Sequence, residues 1–127
     1  MQKIQKKIKT SDATALYYET YYSGTELPTL FLIHGVGGDV DAWQHVREKL
    51  LAEGFSVVAM DLRGHGYSGH PREFSKYKIE NFISDAIAVL DAEKLEHVIL
   101  VGHSLGAVLA THIALTYPER FKKLALI

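Results

Sequence analysis

The stretch VILVGHSLGAVLA, residues 98–110, carries the sharpest structural signal in the chain. Its first four residues form a continuous apolar run, which favours a strand buried on both faces of a sheet. The residues after the second glycine have a helical pattern that ends before Pro118, because the residue preceding a proline avoids the helical conformation. The five residues Gly102–Gly106 therefore predict a sharp turn from a strand into a helix.

This turn matches the pattern G-x-S-x-G, which holds a serine in a strained backbone conformation with its hydroxyl above the sheet. Larger side chains at Gly102 or Gly106 would collide with the neighbouring strand or helix, so glycine fits there. The backbone N–H of Leu105 would point from the start of the helix toward developing negative charge. We therefore predict Ser104 as a nucleophile and His103 as a supporting residue. A glycine-rich turn whose serine caps the helix is the alternative.

The rest of the chain alternates apolar runs with helical patterns. Three further runs are predicted as buried strands: Leu30–Ile33, Val57–Met60 and Leu124–Ile127. Helical patterns lie between and beside them, at residues 41–53, 77–93 and 105–117. This alternation implies right-handed crossovers and a doubly wound, mostly parallel α/β sheet. Residues 2–9 and 14–21 are predicted to add an antiparallel pair at its beginning.

Composition narrows the classes of function. The 14 basic and 15 acidic residues give a net charge of −1, which speaks against a nucleic-acid-binding surface. The absence of cysteine excludes disulfides, thiolate zinc sites and cysteine nucleophiles. No apolar run approaches the ~20 residues of a membrane span, and no secretory signal follows the lysines of residues 1–10. We expect one cytoplasmic domain over residues 1–127, without a membrane or nucleic-acid partner.

A second glycine-bearing loop, HGVGG at residues 34–38, follows the run Leu30–Ile33. Glycines at 35 and 37 let the backbone line a pocket, and a loop of this kind supplies one N–H of an oxyanion hole. We assign that donor to Val36 and expect His34 to anchor the loop by hydrogen bonds. A phosphate-binding loop is the weaker interpretation, because the loop lacks the P-loop lysine and the full dinucleotide fingerprint.

A third loop, DLRGHGYSG at residues 61–69, follows the run Val57–Met60. Asp61 and Arg63 invite a catalytic interpretation. We favour a structural one, in which charge-assisted hydrogen bonds hold an irregular loop in place.

In this order, the three motifs HGVGG (34–38), DLRGHGYSG (61–69) and GHSLG (102–106) resemble the first half of the α/β-hydrolase fold family. The resemblance is specific over residues 29–127, and residues 1–28 are compatible with the leading antiparallel strands of that family. The motifs are most similar to those of its esterase, lactonase and C–C-bond hydrolase branch. Ser104 separates the chain from the dehalogenase and epoxide hydrolase branches, which carry aspartate at this position.

The resemblance implies acyl transfer to a serine. Ser104 would attack the carbonyl of a small-molecule ester or related substrate, the N–H groups of Val36 and Leu105 would hold the oxyanion, and water would release the acid. The supporting loop residues would be His34, Gly35, Gly37, Gly102, His103 and Gly106. Neither a metal nor an organic cofactor is implied. Esterase, lactonase, thioesterase, C–C hydrolase and perhydrolase chemistry all stay open.

The resemblance also implies an incomplete domain, truncated after the strand that follows the elbow helix. In the family the catalytic acid and histidine come later in the chain, so we expect neither within residues 1–127. The alternative function is a non-catalytic binding or assembly fragment, or a half that needs a second polypeptide. An exposed apolar edge at Leu124–Ile127 predicts self-association.

Overall fold

The computed structural model describes residues 2–127 and shows a six-stranded sheet with helices on both faces. Met1, the first residue of the predicted domain, lies outside the described residues. The strands are β1 (Ile4–Lys9), β2 (Ala15–Tyr21), β3 (Thr29–Ile33), β4 (Ser56–Met60), β5 (Val98–Gly102) and β6 (Phe121–Leu126). The α-helices are α1 (Gln44–Ala52), α2 (Ile79–Ala92) and α3 (Leu105–Thr116).

The strand order across the sheet is β1-β2-β4-β3-β5-β6. Pairing is parallel from β4 through β3 and β5 to β6, whereas β1 and β2 are antiparallel to their neighbours. The predicted class, a mostly parallel α/β sheet of the hydrolase type, is confirmed. Because the parallel strands run in the same direction, the loops that follow β3, β4 and β5 meet at one edge of the sheet.

Two apolar cores flank the sheet, which explains why β3 and β4 have no polar positions after their first residues, Thr29 and Ser56. On one face, Phe31 and Ile33 pack with apolar residues of α2 and α3. On the other face, Leu30 and Leu32 pack with Trp43 and with half-buried residues of α1. Alternate residues of a strand point to opposite faces, so every residue of β3 after Thr29 is buried.

The predicted helix at residues 41–53 is a 3-10 turn, Val40–Trp43, followed by α1. The apolar stripe expected on it is buried only in part: Trp43 is 4% exposed, whereas Val46 is 42% exposed. The helix predicted at 77–93 likewise begins with a 3-10 turn, Phe74–Tyr77, ahead of α2. Within residues 2–127 no helix is both long and apolar enough to cross a membrane.

Strand β6 begins three residues before the apolar run that predicted it and ends at Leu126. The start of β6 was not predicted because Lys122 and Lys123 interrupt the apolar run. These lysines are exposed because the strand lies at the edge of the sheet. Among the described residues β6 pairs only with β5, and Leu124 and Leu126 are 40% and 51% exposed. Self-association through this edge stays a prediction.

Candidate active site

The turn between β5 and α3 places Ser104 in a backbone conformation that side-chain-bearing residues rarely adopt, with φ 58° and ψ −119°. The turn is fixed to its surroundings by two backbone hydrogen bonds. The His103 N–H donates to the carbonyl of Ile33 at 3.1 Å, and the Ser104 N–H donates to the carbonyl of Ile127 at 3.0 Å. The Ser104 side chain is exposed above the sheet edge. Strain of this kind persists only where the surroundings over-determine it.

The two glycines of the turn are required by close packing. A Cβ on Gly102 would overlap the backbone of Gly106, and a Cβ on Gly106 would overlap the carbonyl oxygen of Ile33. Gly35, in the loop after β3, is also close: an added Cβ there would lie 3.1 Å from the Cβ of Ser104. The turn and the loop after β3 therefore approach each other directly.

Val36 and Leu105 directly follow the two contacting residues, Gly35 and Ser104, in the chain. Leu105 is the first residue of α3, where the N–H groups have no partner within the helix. Neither amide donates a hydrogen bond to another residue within 2–127. Val36 is 74% exposed. Both N–H groups thus lack a hydrogen-bond partner among the described residues, and the positive end of the α3 dipole lies beside Ser104.

The Ser104 hydroxyl makes no side-chain hydrogen bond to the described part of the chain, residues 2–127. Of the seven histidines, His34 is fully buried and His65 packs edge-on against it with ring centroids 5.0 Å apart. The His103 ring packs edge-on against Trp43 at 6.5 Å. The others are exposed: His45, His70, His97 and His112. Over the same residues, no group of three or more His, Asp or Glu side chains could hold a metal ion.

His34 anchors the loop after β3, the segment from His34 to Asp39, which we call the β3 loop. Its Nε2 accepts a hydrogen bond from the Leu62 N–H at 3.0 Å. That nitrogen therefore carries no proton, and Nδ1–H donates to the Gly35 carbonyl at 2.7 Å. Burial lowers the pKa of His34, although the bond to the Gly35 carbonyl opposes this effect. The ring is held neutral in one tautomer.

This burial predicts a pH dependence of stability. A histidine whose pKa is lower in the folded state contributes stability above its ordinary pKa of 6.5. That contribution is lost as the pH falls below 6.5 toward the folded-state value. Below pH 6.5, we expect the free energy of unfolding to fall less steeply with decreasing pH in His34→Gln than in the parent. The two slopes should differ by at most ~1.4 kcal/mol per pH unit. Denaturant titrations at several pH values measure this, with exposed His112→Gln as the control; equal slopes in all three proteins would contradict it.

Asp61 ties the β3 loop to the loop after β4, the segment Asp61–Gly69, which we call the β4 loop. Its carboxylate is 1% exposed and accepts from two backbone amides, Val40 to Oδ1 and Tyr67 to Oδ2, both at 2.8 Å. Burial raises the pKa of the Asp61 carboxyl, and these two hydrogen bonds oppose that rise. The contacts confirm the structural interpretation of this residue.

Arg63 is also a structural residue. Its guanidinium is 2% exposed and forms a bidentate pair with Asp85, with N···O distances of 2.6 and 2.7 Å. A third nitrogen donates to Asp12 at 3.0 Å and to the carbonyl of Lys76 at 2.8 Å. These bonds join the β4 loop to α2 and to the β1–β2 turn. Asp85 was not predicted from the sequence, although a lone carboxylate between apolar helix positions was a usable signal.

A cavity of about 230 Å³ lies beside His103. It is lined by His34, Ala42, Trp43, Val46, His103 and Ile127. Trp43 and Val46 belong to the helix predicted at residues 41–53, whose pattern gave no sign that they line a cavity. The position of α1 leaves Val46 42% exposed beside that cavity.

A family model of the alpha/beta hydrolase fold matches residues 28–127. The chain belongs to this family. It is 39% identical over 106 residues to the 2-hydroxymuconate semialdehyde hydrolase of Pseudomonas sp., covering 82% of this chain and 37% of that protein. It is 36% identical over 100 residues to epoxide hydrolase 4 of Mus musculus, covering 79% of this chain and 28% of that protein.

Solved structures give the same fold. The thioesterase domain from the curacin biosynthetic pathway superposes with a TM-score of 0.89 at 33% identity, over 100% of this chain and 46% of that chain. The chain thus spans less than half the length of each of these three proteins. These likenesses agree with membership of a hydrolase family.

Proposed function

We propose that the protein is a serine hydrolase that cleaves carboxylic esters, or related carbonyl substrates, through a covalent acyl-serine. The observation that carries this proposal is the exposed Ser104 at φ 58°, at the start of α3. It is supported by the free amides of Val36 and Leu105 and by the close approach of Gly35. Preorganised N–H donors of this kind stabilise the charge that develops in acyl transfer.

In the proposed reaction, the Ser104 Oγ attacks the carbonyl carbon and the electron pair of the C=O bond moves to the oxygen. The Val36 and Leu105 N–H groups donate to that oxyanion. Its collapse expels the alcohol and leaves an acyl-serine, which water then hydrolyses to the acid. A general base takes the Ser104 proton and returns it to the departing alcohol.

We propose that this base, and the acid that orients it, come from outside residues 2–127. The support is that no hydrogen bond joins a described histidine side chain to the Ser104 hydroxyl, and that the relatives extend well beyond the matched region. His34 is unsuited to the task, because both of its ring nitrogens are already engaged in hydrogen bonds.

The cavity beside His103 supports a substrate with a small apolar group. Its volume of about 230 Å³ and its largely apolar side chains suit a small apolar group on one side of the ester. The printed names of the relatives describe different bonds, a semialdehyde hydrolase, an epoxide hydrolase and a thioesterase domain. We propose ester or thioester cleavage because Ser104 is a hydroxyl nucleophile.

A substrate panel tests this choice. The protein expressed from its natural open reading frame is assayed with short-chain aryl esters, an aryl thioester and a styrene-type epoxide. We expect turnover of the ester or thioester, lost in Ser104→Ala and kept in Ser84→Ala, whose serine is exposed on α2. Turnover of the epoxide alone would overturn the proposal.

The second candidate is a non-catalytic binding or assembly role, favoured by the lack of a described partner for the Ser104 hydroxyl. It differs from the first in the reactivity of the serine, since a fluorophosphonate probe labels only an activated hydroxyl. Labelling of the protein at Ser104 excludes the non-catalytic role. Absence of labelling, in a protein that melts cooperatively, supports it over catalysis.

A further inference from the structure

Two consecutive residues after β4 hold both ends of the β3 loop. At its beginning, the Leu62 N–H donates to the ring of His34. At its end, the Asp61 carboxylate accepts the N–H of Val40, the first residue after the loop. The Val36 amide lies between these two attachment points.

We propose that Asp61 is a positioning residue for the reaction at Ser104, because its bond to Val40 fixes the orientation of the Val36 N–H. This inference rests on the proposed function. Asp61 does not touch the reacting atoms in this scheme; it acts through the backbone of the β3 loop.

The carboxylate is specifically suited to this role. Each of its oxygens accepts one backbone N–H, from Val40 on one side and Tyr67 on the other. An asparagine side chain would offer one acceptor and would turn an NH₂ group toward the second amide, where two donors cannot bond. The packing around the group is also tight, since a Cβ on Gly66, which has φ +51°, would overlap the carboxylate.

The bond can be removed from its other end. Val40 begins a 3-10 turn, and Asp39 before it is extended, with φ −163° and ψ −171°. Proline is tolerated at the first position of a helical turn and requires an extended residue before it. Val40→Pro therefore deletes the N–H that Asp61 accepts, and its ring Cδ pushes against Asp61 Oδ1, which lies 2.8 Å from the Val40 nitrogen, so the contact is broken from the loop side.

The expected effect is on the rate of turnover. Loss of one oxyanion donor lowers kcat by roughly 10²–10³-fold in a well-studied serine protease. A displaced donor should have a smaller effect, and we expect a roughly tenfold to hundredfold fall in kcat. The KM for a short-chain aryl ester should change by less than about twofold. The reason is that the oxyanion donors act on the transition state and contribute little to binding of the ground-state ester.

A double-mutant cycle tests the proposal in the protein expressed from its natural open reading frame. Asp61→Asn, Val40→Pro and the double variant are compared with the parent by kcat, KM and thermal melting. If the Asp61–Val40 bond is the route, each single variant loses kcat at similar KM and the double variant loses little more than the worse single variant. Asp41→Asn, an exposed carboxylate in the same turn, should match the parent.

Two results would overturn the positioning role: parent-like kcat in Val40→Pro, or fully additive losses in the double variant. If Asp61→Asn does not fold, the kcat of Val40→Pro alone decides the test. The parent protein alone tests the proposed function. A parent without Ser104-dependent turnover overturns the proposed function and the positioning role with it, whereas an active parent with unaffected variants overturns only the positioning role.

Discussion

Replacing Ser104 with alanine is expected to lower ester hydrolysis by roughly 10⁴-fold or more, because loss of a serine nucleophile removes the acyl-enzyme route altogether. The fold should survive, since the side chain is exposed and the hydroxyl makes no side-chain hydrogen bond within residues 2–127. Initial rates with an aryl ester, together with a melting curve, measure both effects.

Ser104→Gly provides a matched test of the strain at this position. Glycine adopts φ near +58° without steric cost. We therefore expect Ser104→Gly to be inactive. Its free energy of unfolding should equal that of Ser104→Ala or exceed it by up to roughly 1 kcal/mol. Substantial hydrolysis by either variant would contradict the role given to Ser104.

Replacing Arg63 with alanine is expected to cost about 3–5 kcal/mol of unfolding free energy. The reason is that Asp85 is fully buried. Without Arg63, its carboxylate would remain buried and lose its bidentate partner. Chemical denaturation measures the loss. Arg72→Ala, at an exposed position of the segment after the β4 loop, should stay within about 0.5 kcal/mol of the parent.

The pair Arg63→Met with Asp85→Leu separates the burial of charge from the loss of packing. The double variant still takes the Arg63 donor from Asp12 and from the Lys76 carbonyl, but Asp12 is partly exposed and keeps its ion pair with Lys76. No fully buried charge is left unpaired, so the double variant should be more stable than Arg63→Ala. The interpretation of Arg63 as a structural residue fails if Arg63→Ala is as stable as Arg72→Ala.

The turn at Ser104 could be predicted from the sequence because its requirements are local. A side chain at Gly102 or Gly106 would collide with backbone atoms of the turn or of β3, so the turn needs glycine at both positions. The strand and helix patterns on either side of it are unambiguous. The same holds for β5 and, after their first residues, for β3 and β4, which are apolar because helices cover both faces.

Long-range pairings could not be predicted in this way. The partners of Asp61 and Arg63 lie elsewhere in the chain, and the choice of Val40 or Asp85 depends on how the loops meet in three dimensions. The start of β6 was missed for the opposite reason: Lys122 and Lys123 belong to an edge strand, where exposure removes the apolar signal. The exposure of Val46 likewise depends on the placement of α1 rather than on its own pattern.

The central claim is that Ser104 carries the acyl group during turnover, and an acid quench tests it most directly. The protein from its natural open reading frame is mixed with an activated aryl ester, stopped in acid during the first turnover, digested and examined by mass spectrometry. We predict an acyl group on Ser104 in the parent and none on that peptide in Ser104→Ala. Turnover that leaves the acyl group on a different residue, with Ser104 unmodified, would contradict the account.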